Sequence, residues 1–581
     1  MTAVDQPHDT LGSGRVGFAN EADVDLFVSK LEAFEQGTLS PDDWRGFRLL
    51  NGVYGQRQDG VMMIRAKIPG GIMTPQALEA LADVAEHFTP GKKGHVTTRQ
   101  NVQFHFVPMA DVEAALRRLA DAGITTKEAC GHSVRNWTCC PMAGVAKDEP
   151  FDVTPYLEAL ARHLLRGPYS STLPRKFKPS IGGCCGTDCS QAFINDLGLL
   201  ARTKDGVRGF EVVCGGGLST LRRSAIVVEE FLPADEVLEA ADALVRVFHR
   251  IGNRTNKAKA RIKWAIEKIG VPAFLAEYKA ERAKIKAEGG VPLVLPAQPE
   301  PPKFQKGLPQ LAPPLEGYEA WAADNVKAQK QDGFSAVTIR LILGDASVAQ
   351  WRALARLAIA FGEGELRATN EQNLLLRYVP TWKLPVLHKE LVALGLAKGG
   401  AKTLADVTSC PGASSCKIAV TASRGLASLL TEALDARPDL VAAAPELDVK
   451  ISGCPNGCGQ HYIAGIGFQG GMRKVAGRAV PQYLVYLGGG INAKGAEFGK
   501  LVAKVPARRA PQALTALLEL YIAEGNHRGN AFWKDVPADR VKAALGSLVE
   551  LTDADAKDED FIDLGETSAF EVVQGEGECA A

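Results

Sequence analysis

The segments TSCPGASSC (408–416) and ISGCPNGCG (451–459) carry four cysteines with the spacings C-x5-C and C-x3-C: Cys410, Cys416, Cys454 and Cys458. Each pair lies in glycine- and proline-rich sequence typical of loops, where backbone amides can point toward sulfur. A [4Fe–4S] cluster needs four thiolates that converge on a compact core. Structural zinc usually takes pairs spaced C-x2–4-C, so the first pair fits zinc poorly. Buried structural cysteines are the remaining alternative, and the spacing by itself predicts only a metal site.

The sequence around these cysteines repeats an earlier part of the chain. The segment VTTRQNVQFHFV (96–107) aligns with LRATNEQNLLLRYV (366–379). In this alignment Gln100-Asn101 falls on Gln372-Asn373. The sequence at 138–141 falls on Thr408–Pro411 with an offset of 270 residues. Repeats that keep register over several motifs indicate a duplicated unit. We therefore predict a pseudo-twofold core, whose shared interface is a common place for a cofactor.

Both repeats show the pattern of a strand followed by a helix. In residues 60–88 a strand ends at two glycines, and a helix begins with Thr74 as N-cap and Pro75 at its first position. The alternation in 95–107 predicts a second strand, and Met109 to Ala122 a second helix. The later repeat gives the same order, with strands in 334–345 and 366–379 around a helix at 348–361.

Composition favours a multidomain enzyme of the cytoplasm. A chain of 581 residues is too long for one core, and its 67 basic and 67 acidic residues leave no net charge to suggest a nucleic-acid or membrane partner. The N-terminus lacks the apolar segment of a signal peptide, and no stretch of about 18 apolar residues predicts a membrane helix. Twelve cysteines in such a chain indicate metal or redox chemistry in place of disulfides.

Three segments lie outside the repeats. Residues 1 to about 50 are predicted to form an extended or helical arm, with an amphipathic part from Val24 to Phe34. Residues 291–318 are proline-rich and typical of a semi-rigid linker. From Thr552 onward, ten acids stand against one lysine, which predicts a disordered tail.

The segment Gly465–Gly470 matches the dinucleotide-binding pattern G-x-G-x-x-G. That fingerprint requires a helix after the glycine turn, whereas residues 472–490 have the pattern of a turn and a strand. We therefore interpret it as a chance match, and expect the electrons to come from a partner protein.

The first half carries the basic residues that suit an anion or an anionic cofactor. Arg65 lies on a predicted strand, and Arg99, Gln103 and His105 alternate along the next one, which predicts a shared face. The segment LPRKFKPS (173–180) contributes Lys176 and Lys178, which also share a face if the chain is extended there. A single basic residue is more often a solvated surface group than a ligand.

Taken together, these motifs resemble the sirohaem-dependent sulfite and nitrite reductases. The segments MMIRAKIPGG, TTRQNVQFH, VRN and LPRKFK occur in the order of that family, and the likeness covers roughly residues 50–285 and 325–530. It implies an α+β fold, a duplicated pseudo-twofold core of ferredoxin-like half-domains and two larger α/β half-domains that hold sirohaem and the cluster. The implied division is an N-terminal arm (1–50), ferredoxin-like half-domain 1 (51–125), a sirohaem and substrate half-domain (126–290), a linker (291–325), ferredoxin-like half-domain 2 (326–398), a [4Fe–4S] and sirohaem half-domain (399–535) and an acidic C-terminal tail (536–581).

The resemblance also implies roles for individual residues. The four cysteines would hold the [4Fe–4S] cluster, and Cys458 would also bridge one cluster iron to the sirohaem iron. Four basic residues would line the substrate pocket: Arg65, Arg135, Lys176 and Lys178. A further set would contact sirohaem or its carboxylates: Arg99, Gln103, His105, Lys263 and Asn456.

The chain also departs from the family pattern at five further cysteines: Cys139, Cys140, Cys184, Cys185 and Cys189. Cys130 is another cysteine of the same half. By the repeat, Ala146 and Asp188 stand where the other half has Cys416 and Cys458. A second cluster would therefore be incomplete, and we predict reduced structural thiols. A metal site built from these cysteines is the alternative.

The activity implied by the resemblance is a six-electron reduction, with ferredoxin or a flavoprotein reductase subunit as donor. The Lys-x-Lys pattern at 176–178 favours sulfite reduction to sulfide, since the nitrite enzymes tend to have Asn at the second position. The run Pro141–Gly144 is more similar to the nitrite enzymes, so reduction of nitrite to ammonia is the alternative. A hypothesis of another class is a non-catalytic iron–sulfur carrier or zinc-stabilised module, which would lack the red absorption bands of sirohaem.

Overall fold

The computed structural model describes residues 15, 17–183, 188–300, 313–573, 575, 577 and 578. Two helices precede the first repeat: α1 (Glu21–Glu35) and α2 (Pro41–Leu50). Their aromatic side chains pack together, with the rings of Phe27 and Trp44 5.2 Å apart, and join the core of the first sheet. Within the segment that the sequence leaves open as extended or helical, residues 21–50 are thus mainly helical and packed on a domain, and residues 1–14 lie outside the described part of the chain.

The first repeat begins with a small antiparallel sheet covered by helices. Its elements are β1 (Val53–Gly55), β2 (Val61–Ala66), β3 (Ile72–Met73), α3 (Pro75–Phe88), β4 (Lys93–Val96), β5 (Val102–Pro108) and α4 (Val112–Asp121). Thr74 caps α3 as predicted, since its side chain accepts from the backbone N–H of Ala77. The strand predicted over 95–107 is interrupted by a turn in which Gln100 has a φ of 57°. Arg99 therefore lies in this turn and not on the strand.

The second part of the first repeat is a mixed sheet with helices on it. Its elements are β6 (Thr138–Cys139), α5 (Thr154–Leu164), β7 (Pro179–Gly182), β8 (Leu197–Lys204), β9 (Val207–Cys214), β10 (Ile226–Pro233), α6 (Val237–Ile251), α7 (Ile262–Ile269) and α8 (Val271–Ala287). The strand order is β10-β9-β8-β7-β6. The strands β6, β7 and β8 are parallel, and β9 and β10 are antiparallel to their neighbours.

The later repeat has the same two parts. The ferredoxin-like part consists of α9 (Tyr318–Asn325), β11 (Val326–Ala328), β12 (Phe334–Ile339), β13 (Asp345–Ser347), α10 (Val348–Phe361), β14 (Leu366–Ala368), β15 (Leu374–Pro380) and α11 (Leu384–Ala393). The mixed-sheet part consists of β16 (Thr408–Ser409), α12 (Ser423–Asp435), α13 (Pro438–Ala443), β17 (Val449–Ser452), β18 (Ile466–Val475), β19 (Arg478–Leu487), β20 (Gly490–Asn492), β21 (Gly495–Glu497), β22 (Lys500–Pro506) and α14 (Ala510–Glu524). Two helices follow: α15 (Asn530–Asp535) and α16 (Ala538–Leu545). The order β16-β17-β18-β19-β22 repeats that of the first half.

The glycine run at 465–470 lies almost entirely in β18, and the residues after it form strand and turn, as the sequence predicts. β18 continues through a turn into β19, and the two strands pair from Ile466 with Leu487 to Val475 with Arg478. No helix follows the glycines, so the strand–turn–helix arrangement of a dinucleotide fingerprint is not formed at this segment.

The two ferredoxin-like parts exchange a strand. β13 of the later repeat pairs with β4, and β3 of the earlier repeat pairs with β14. The sheets therefore have the orders β1-β2-β5-β4-β13 and β11-β12-β15-β14-β3. Because α3 and α10 also pack on each other, the two sheets share one hydrophobic core.

Two equivalent glutamines link each ferredoxin-like part to the neighbouring parts. The Gln100 amide donates to the carbonyls of Cys139 and Ala368. The Gln372 amide donates to the carbonyl of Val96, and its oxygen accepts from the N–H of Ser409 at 2.9 Å. These contacts fall on equivalent positions of the two repeats, so the pseudo-twofold relation predicted from the sequence extends to individual hydrogen bonds.

The acid-rich C-terminal residues are folded against the later repeat, and the prediction of disorder is wrong for the residues that the structure describes. Phe561, Leu564 and Phe570 are buried, and the carboxylate of Asp563 accepts from the N–H of Ala422 at 2.7 Å. The composition of the segment conceals these spaced apolar anchors, which supply the burial that a disordered segment lacks.

The C-terminal end returns to the first sheet. The buried carboxylate of Glu578 forms an ion pair with Arg48, accepting from its Nη1 at 2.9 Å, and it also accepts from the N–H of Gly55 at 2.6 Å. Gly575 N–H donates to the carbonyl of Lys417, on the loop that follows Cys416. Gly575 and Glu578 thus lie between a cysteine-bearing loop and β1.

Among the helices of the described residues, none is long and apolar enough to cross a membrane.

Candidate functional site

A cavity of about 240 Å³ lies where the two halves meet. Residues of both halves line it, and the predicted site residues among them are Arg65, Arg99, Gln103, His105, Arg135, Lys176, Lys178, Cys410, Cys416, Cys454, Asn456 and Cys458. The structure therefore brings together the basic residues of the first repeat and the cysteines of the second.

The cysteine loops follow two neighbouring parallel strands. Cys410 comes directly after β16, and Cys454 follows β17, which pairs with β16 in parallel. In such sheets the loops beyond the carboxyl ends of the strands form the ligand crevice. The N–H of Gly453 points at Cys410 Sγ, at 3.4 Å. A Cβ at Gly459 would lie 1.8 Å from the carbonyl oxygen of Ile451, so only glycine lets this loop approach so closely.

The electrostatics of the thiols fit a cluster of iron ions. Burial, and then the neighbouring thiol of Cys458, raise the pKa of Cys410 and of Cys454. Burial raises the pKa of Cys416 to about 12, although backbone N–H groups and nearby thiols also act on it. Four thiolates that line one cavity need positive charge between them, and a [4Fe–4S] core supplies it.

Two arginines of the cavity are held by the same loop. Arg65 Nη1 donates to the carbonyl of Ala129 at 3.2 Å and to Cys130 Sγ at 2.9 Å. Arg135 donates to the carbonyls of Ala129 and Gly131 at 2.9–3.1 Å. With its oxygen toward Arg65, the Gln103 amide accepts from Arg65 Nε at 2.9 Å. The two guanidinium groups are therefore fixed side by side at the cavity wall.

Lys176 and Lys178 reach the cavity from one extended segment. Phe177 between them is fully buried and stacks on Phe248 with ring centroids 5.9 Å apart, so the two lysines point the other way. This is the shared face that the sequence predicts. Burial, followed by the charges of Lys176, Arg261 and Arg99, lowers the pKa of Lys178 well below its ordinary value.

Arg99 lies deep in the cavity wall. Its guanidinium donates to the Asn195 side chain at 2.6 Å and to the backbone carbonyls of Asn136 and Pro179. Burial lowers the pKa of Arg99 to about 9 against the opposing effect of Asp196. Its Nε is buried and, among the described residues, has no hydrogen-bond partner.

His105 also presents unsatisfied groups to the cavity. Within the described part of the chain, neither ring nitrogen has a hydrogen-bond partner although both are buried. Burial, and then the neighbouring His95 and Arg424, lower the pKa of His105 to about 3. Buried polar groups of this kind need a partner. A macrocycle with many carboxylates, such as sirohaem, offers acceptors to the Arg99 and His105 groups.

Lys263 is not among the residues that line the cavity, and its contact with a sirohaem carboxylate stays a prediction. Its ammonium group is buried and donates to the carbonyls of Leu218 and Leu221, the first at 2.5 Å. Burial and the charge of Arg261 lower its pKa to about 7. Lys263 therefore holds the loop at 218–221, which contacts the second cysteine loop through a hydrogen bond from Ser219 to Asn456.

Polar residues that the sequence analysis missed also line the cavity: Thr98, Gln191, Asn195, Gln372 and Gln460. The Thr98 hydroxyl donates to the carbonyl of Cys458 at 2.9 Å and so ties the first repeat to the last cysteine. The signal that could have found Gln191 and Gln460 is the repeat itself, which places them 269 positions apart.

The remaining cysteines of the first half that the structure describes do not line the cavity. Cys130, Cys139 and Cys140 are buried, and burial raises the pKa of Cys139 to about 12. Asp188, at the position equivalent to Cys458, accepts from Ser190 at 2.8 Å. Cys184 and Cys185 lie outside the described residues, so the prediction of structural thiols stays a prediction.

Comparison with known proteins identifies the class. The model "Nitrite and sulphite reductase 4Fe-4S domain" matches residues 130–286 and 400–533, and "Nitrite/Sulfite reductase ferredoxin-like half domain" matches 54–122 and 327–394. The ferredoxin–nitrite reductase of Synechococcus elongatus is 31% identical over 79% of this chain and 86% of its own. The chloroplastic ferredoxin–nitrite reductase of Oryza sativa subsp. japonica is 30% identical over 87% of this chain and 82% of its own.

A solved structure gives the same result for the fold. The NirA protein of Mycobacterium tuberculosis superposes with a TM-score of 0.75 at 27% identity, covering 89% of this chain and 95% of that one. The protein is an oxidoreductase of the sulfite and nitrite reductase class, with an α+β fold of duplicated ferredoxin-like and larger half-domains. The chain belongs to the nitrite and sulphite reductase family, and its cofactors are sirohaem and a [4Fe–4S] cluster.

Proposed function

We propose that this protein reduces nitrite to ammonia with electrons from ferredoxin. The observation that carries the proposal is the set of relatives named ferredoxin–nitrite reductase, which are 28–31% identical over 77–87% of the chain. In this assignment nitrite, six electrons and eight protons give ammonium and two waters. The sequence-based preference for sulfite becomes the second candidate.

In the proposed site the four cavity cysteines hold the cluster, and Arg99, Gln103, His105 and Asn456 contact sirohaem. Bound sirohaem supplies the iron at which the anion is reduced, and the cluster supplies the electrons. Arg65 and Arg135 bind the anion, because their guanidinium groups are fixed side by side by the carbonyls of Ala129 and Gly131. A fixed donor pair offsets negative charge without reorganisation during the reaction.

The two lysines hold protons next to the anion. Both ammonium groups reach the cavity from one extended segment, and each offers three N–H donors. Oxygen atoms leaving as water must each accept two protons, so donors within the cavity serve the reaction directly. The same donors orient the anion by hydrogen bonding to its oxygens.

Sulfite is the second candidate because of Lys178. This side chain is buried near Lys176, Arg99 and Arg261, so the cavity concentrates several positive charges. A dianion with three oxygens gains more from that arrangement than a monoanion with two.

Side-by-side turnover of the two anions by the purified holoprotein tests the proposal. With reduced ferredoxin as donor, we expect kcat/KM for nitrite to exceed that for sulfite, with ammonia as the product. A higher kcat/KM for sulfite, with sulfide as product, would overturn the nitrite assignment. Turnover with a reduced dye and none with ferredoxin would overturn the donor assignment alone.

A further inference from the structure

Asp345 and His95 form a hydrogen-bonded pair across the exchanged strands. They stand directly opposite each other in the β13–β4 ladder, and Asp345 Oδ1 lies 3.1 Å from His95 Nδ1. Asp345 belongs to the later repeat, and His95 belongs to the earlier one. His95 is buried, Asp345 is 17% exposed, and neither takes part in the chemistry described above.

A first chain of contacts leads from Asp345 to a cluster cysteine through α12. The second oxygen of Asp345 binds Arg424 in the first turn of that helix. Its neighbour Ser423 has its hydroxyl 3.4 Å from Cys410 Sγ and donates to the Cys410 carbonyl at 2.8 Å. The ion pair of Asp345 with Arg424 therefore fixes the start of α12, the helix whose first residue contacts Cys410.

A second chain of contacts reaches the same cysteine through Gln372. The Gln372 Nε2 lies 3.3 Å from His95 Nε2, and its Oε1 accepts from the N–H of Ser409, the residue before Cys410. Because the amide nitrogen donates, His95 Nε2 accepts. Its Nδ1 then carries the proton and donates to Asp345, which at 3.1 Å is closer than the Arg424 Nη1 at 3.3 Å. Asp345 thus orients His95, and His95 orients the glutamine.

The equivalent ladder of the other half, all of whose residues the structure describes, has no such pair. At the equivalent place in the β3–β14 ladder, Ile72 stands opposite Arg367. That half lacks the complete set of cysteines, so the Asp–His pair accompanies the half that holds them.

We propose that Asp345 is a positioning residue for Cys410, acting through Arg424 and through His95, and thereby sets the potential of the cluster. Hydrogen bonds to the ligand sulfurs stabilise the reduced, more negative cluster and raise its potential. The Gly453 N–H donates to this sulfur at 3.4 Å. The Ser423 hydroxyl, whose proton goes to the Cys410 carbonyl, fixes the backbone of the same cysteine and lies 3.4 Å from its sulfur. The inference rests on the ligand role of Cys410 in the proposed site.

The test is a potentiometric titration of the holoprotein, with the reduced cluster followed by electron paramagnetic resonance. Asp345→Asn removes the charge that holds Arg424, and we expect a more negative midpoint potential with unchanged iron content, because the hydrogen bond to the Cys410 sulfur is weakened. Loss of a negative charge alone would shift the potential in the opposite direction, so a more positive midpoint would overturn the inference. Asp83→Asn is the matched control, because Asp83 also pairs with two arginines, Arg118 and Arg352, one of them from the other repeat. Asp83 does not line the cavity, and its variant should titrate like the wild type.

Each outcome has one meaning. An unshifted potential in Asp345→Asn with full iron content would overturn the inference and leave the ligand assignment standing. Wild-type protein without a cluster signal would instead overturn the proposed site. If Asp345→Asn loses its iron, Arg424→Lys is titrated in its place, since it keeps the cation but shortens its reach. A shifted potential there supports the inference, and an unshifted one overturns it.

Discussion

Gln191 and Gln460, which occupy equivalent positions of the two repeats, hydrogen-bond to each other through both amide groups. Gln191 Nε2 donates to Gln460 Oε1 at 2.9 Å, and Gln460 Nε2 donates to Gln191 Oε1 at 2.5 Å. Both residues have positive φ, 59° and 67°, and both line the cavity. The pair therefore marks the pseudo-twofold axis at the site itself. The side-chain amide of each half is the hydrogen-bond partner of the equivalent amide in the other half.

Gln460→Ala should destabilise the contact between the halves. The buried amide of Gln191 would lose its partner, which costs about 1–3 kcal/mol. We expect a lower midpoint of thermal unfolding, measured with cofactors bound. The double variant with Gln191→Ala should lose less than the sum of the two single variants, because both remove the same interaction. Additive losses would contradict the mutual contact.

Cys458→Ser should remove the cluster signal and the sirohaem absorption together. The family resemblance gives this one thiolate to both cofactors, and the structure places it in the cavity beside the first repeat through Thr98. Absorption spectra and iron analysis of the purified variant measure both. Cys214→Ser, at a buried cysteine away from the cavity, is the control. Normal sirohaem absorption in Cys458→Ser would refute the shared thiolate.

Iron analysis of the wild-type protein should give about five irons per chain, four from one cluster and one from sirohaem. Ala146 and Asp188 stand at two of the four positions that a repeat-related second cluster would need. The Asp188 carboxylate is engaged by Ser190 and by the N–H of Phe193. A reproducible value near nine would show that the other cysteines hold a second cluster.

Lys178→Asn should discriminate between the two anions. Losing one charged contact to the transition state should lower sulfite turnover by roughly ten- to a thousandfold. Nitrite turnover should fall much less, since this anion has less charge and fewer oxygens to protonate. Lys204→Asn, at an exposed lysine of the same half, should change neither rate. Equal losses on both anions would show that Lys178 serves only to bind anions or sirohaem.

Glu578→Gln should release the C-terminal end from the first sheet. The substitution leaves the buried Arg48 without its anionic partner, a change that typically costs 3–5 kcal/mol for a buried pair. Limited proteolysis followed by mass spectrometry should then show faster cleavage after residue 570. Glu566→Gln, at an exposed position of the same segment, is the control. Identical cleavage rates would contradict the anchoring role of Glu578.

Much of the fold can be predicted from sequence because it depends on local spacing. Thr74 and Pro75 mark a helix start by their own chemistry, and the structure confirms it. The four cysteines and the 270-residue offset are likewise visible without tertiary contacts. The strands β3 and β13 are different, since two or three residues carry no periodic signal and their pairing depends on a distant partner.

The predictions that failed concern residues whose surroundings are set by distant contacts. The acid-rich C-terminal segment has the overall composition of a disordered segment, although buried Phe561 and Phe570 anchor it. Alternation over 95–107 also conceals the turn at Arg99, which depends on a positive φ at Gln100.

The strand exchange has a consequence for how the chain folds during its synthesis. The first sheet lacks its edge strand until residues 345–347 have left the ribosome, although its other strands end at residue 108. Until then β4 presents an unpaired edge, which is an aggregation hazard in a nascent chain. A fragment that stops before residue 345 should therefore be a poor expression unit, and chaperones that cover exposed strands should matter most during synthesis of the intervening 236 residues.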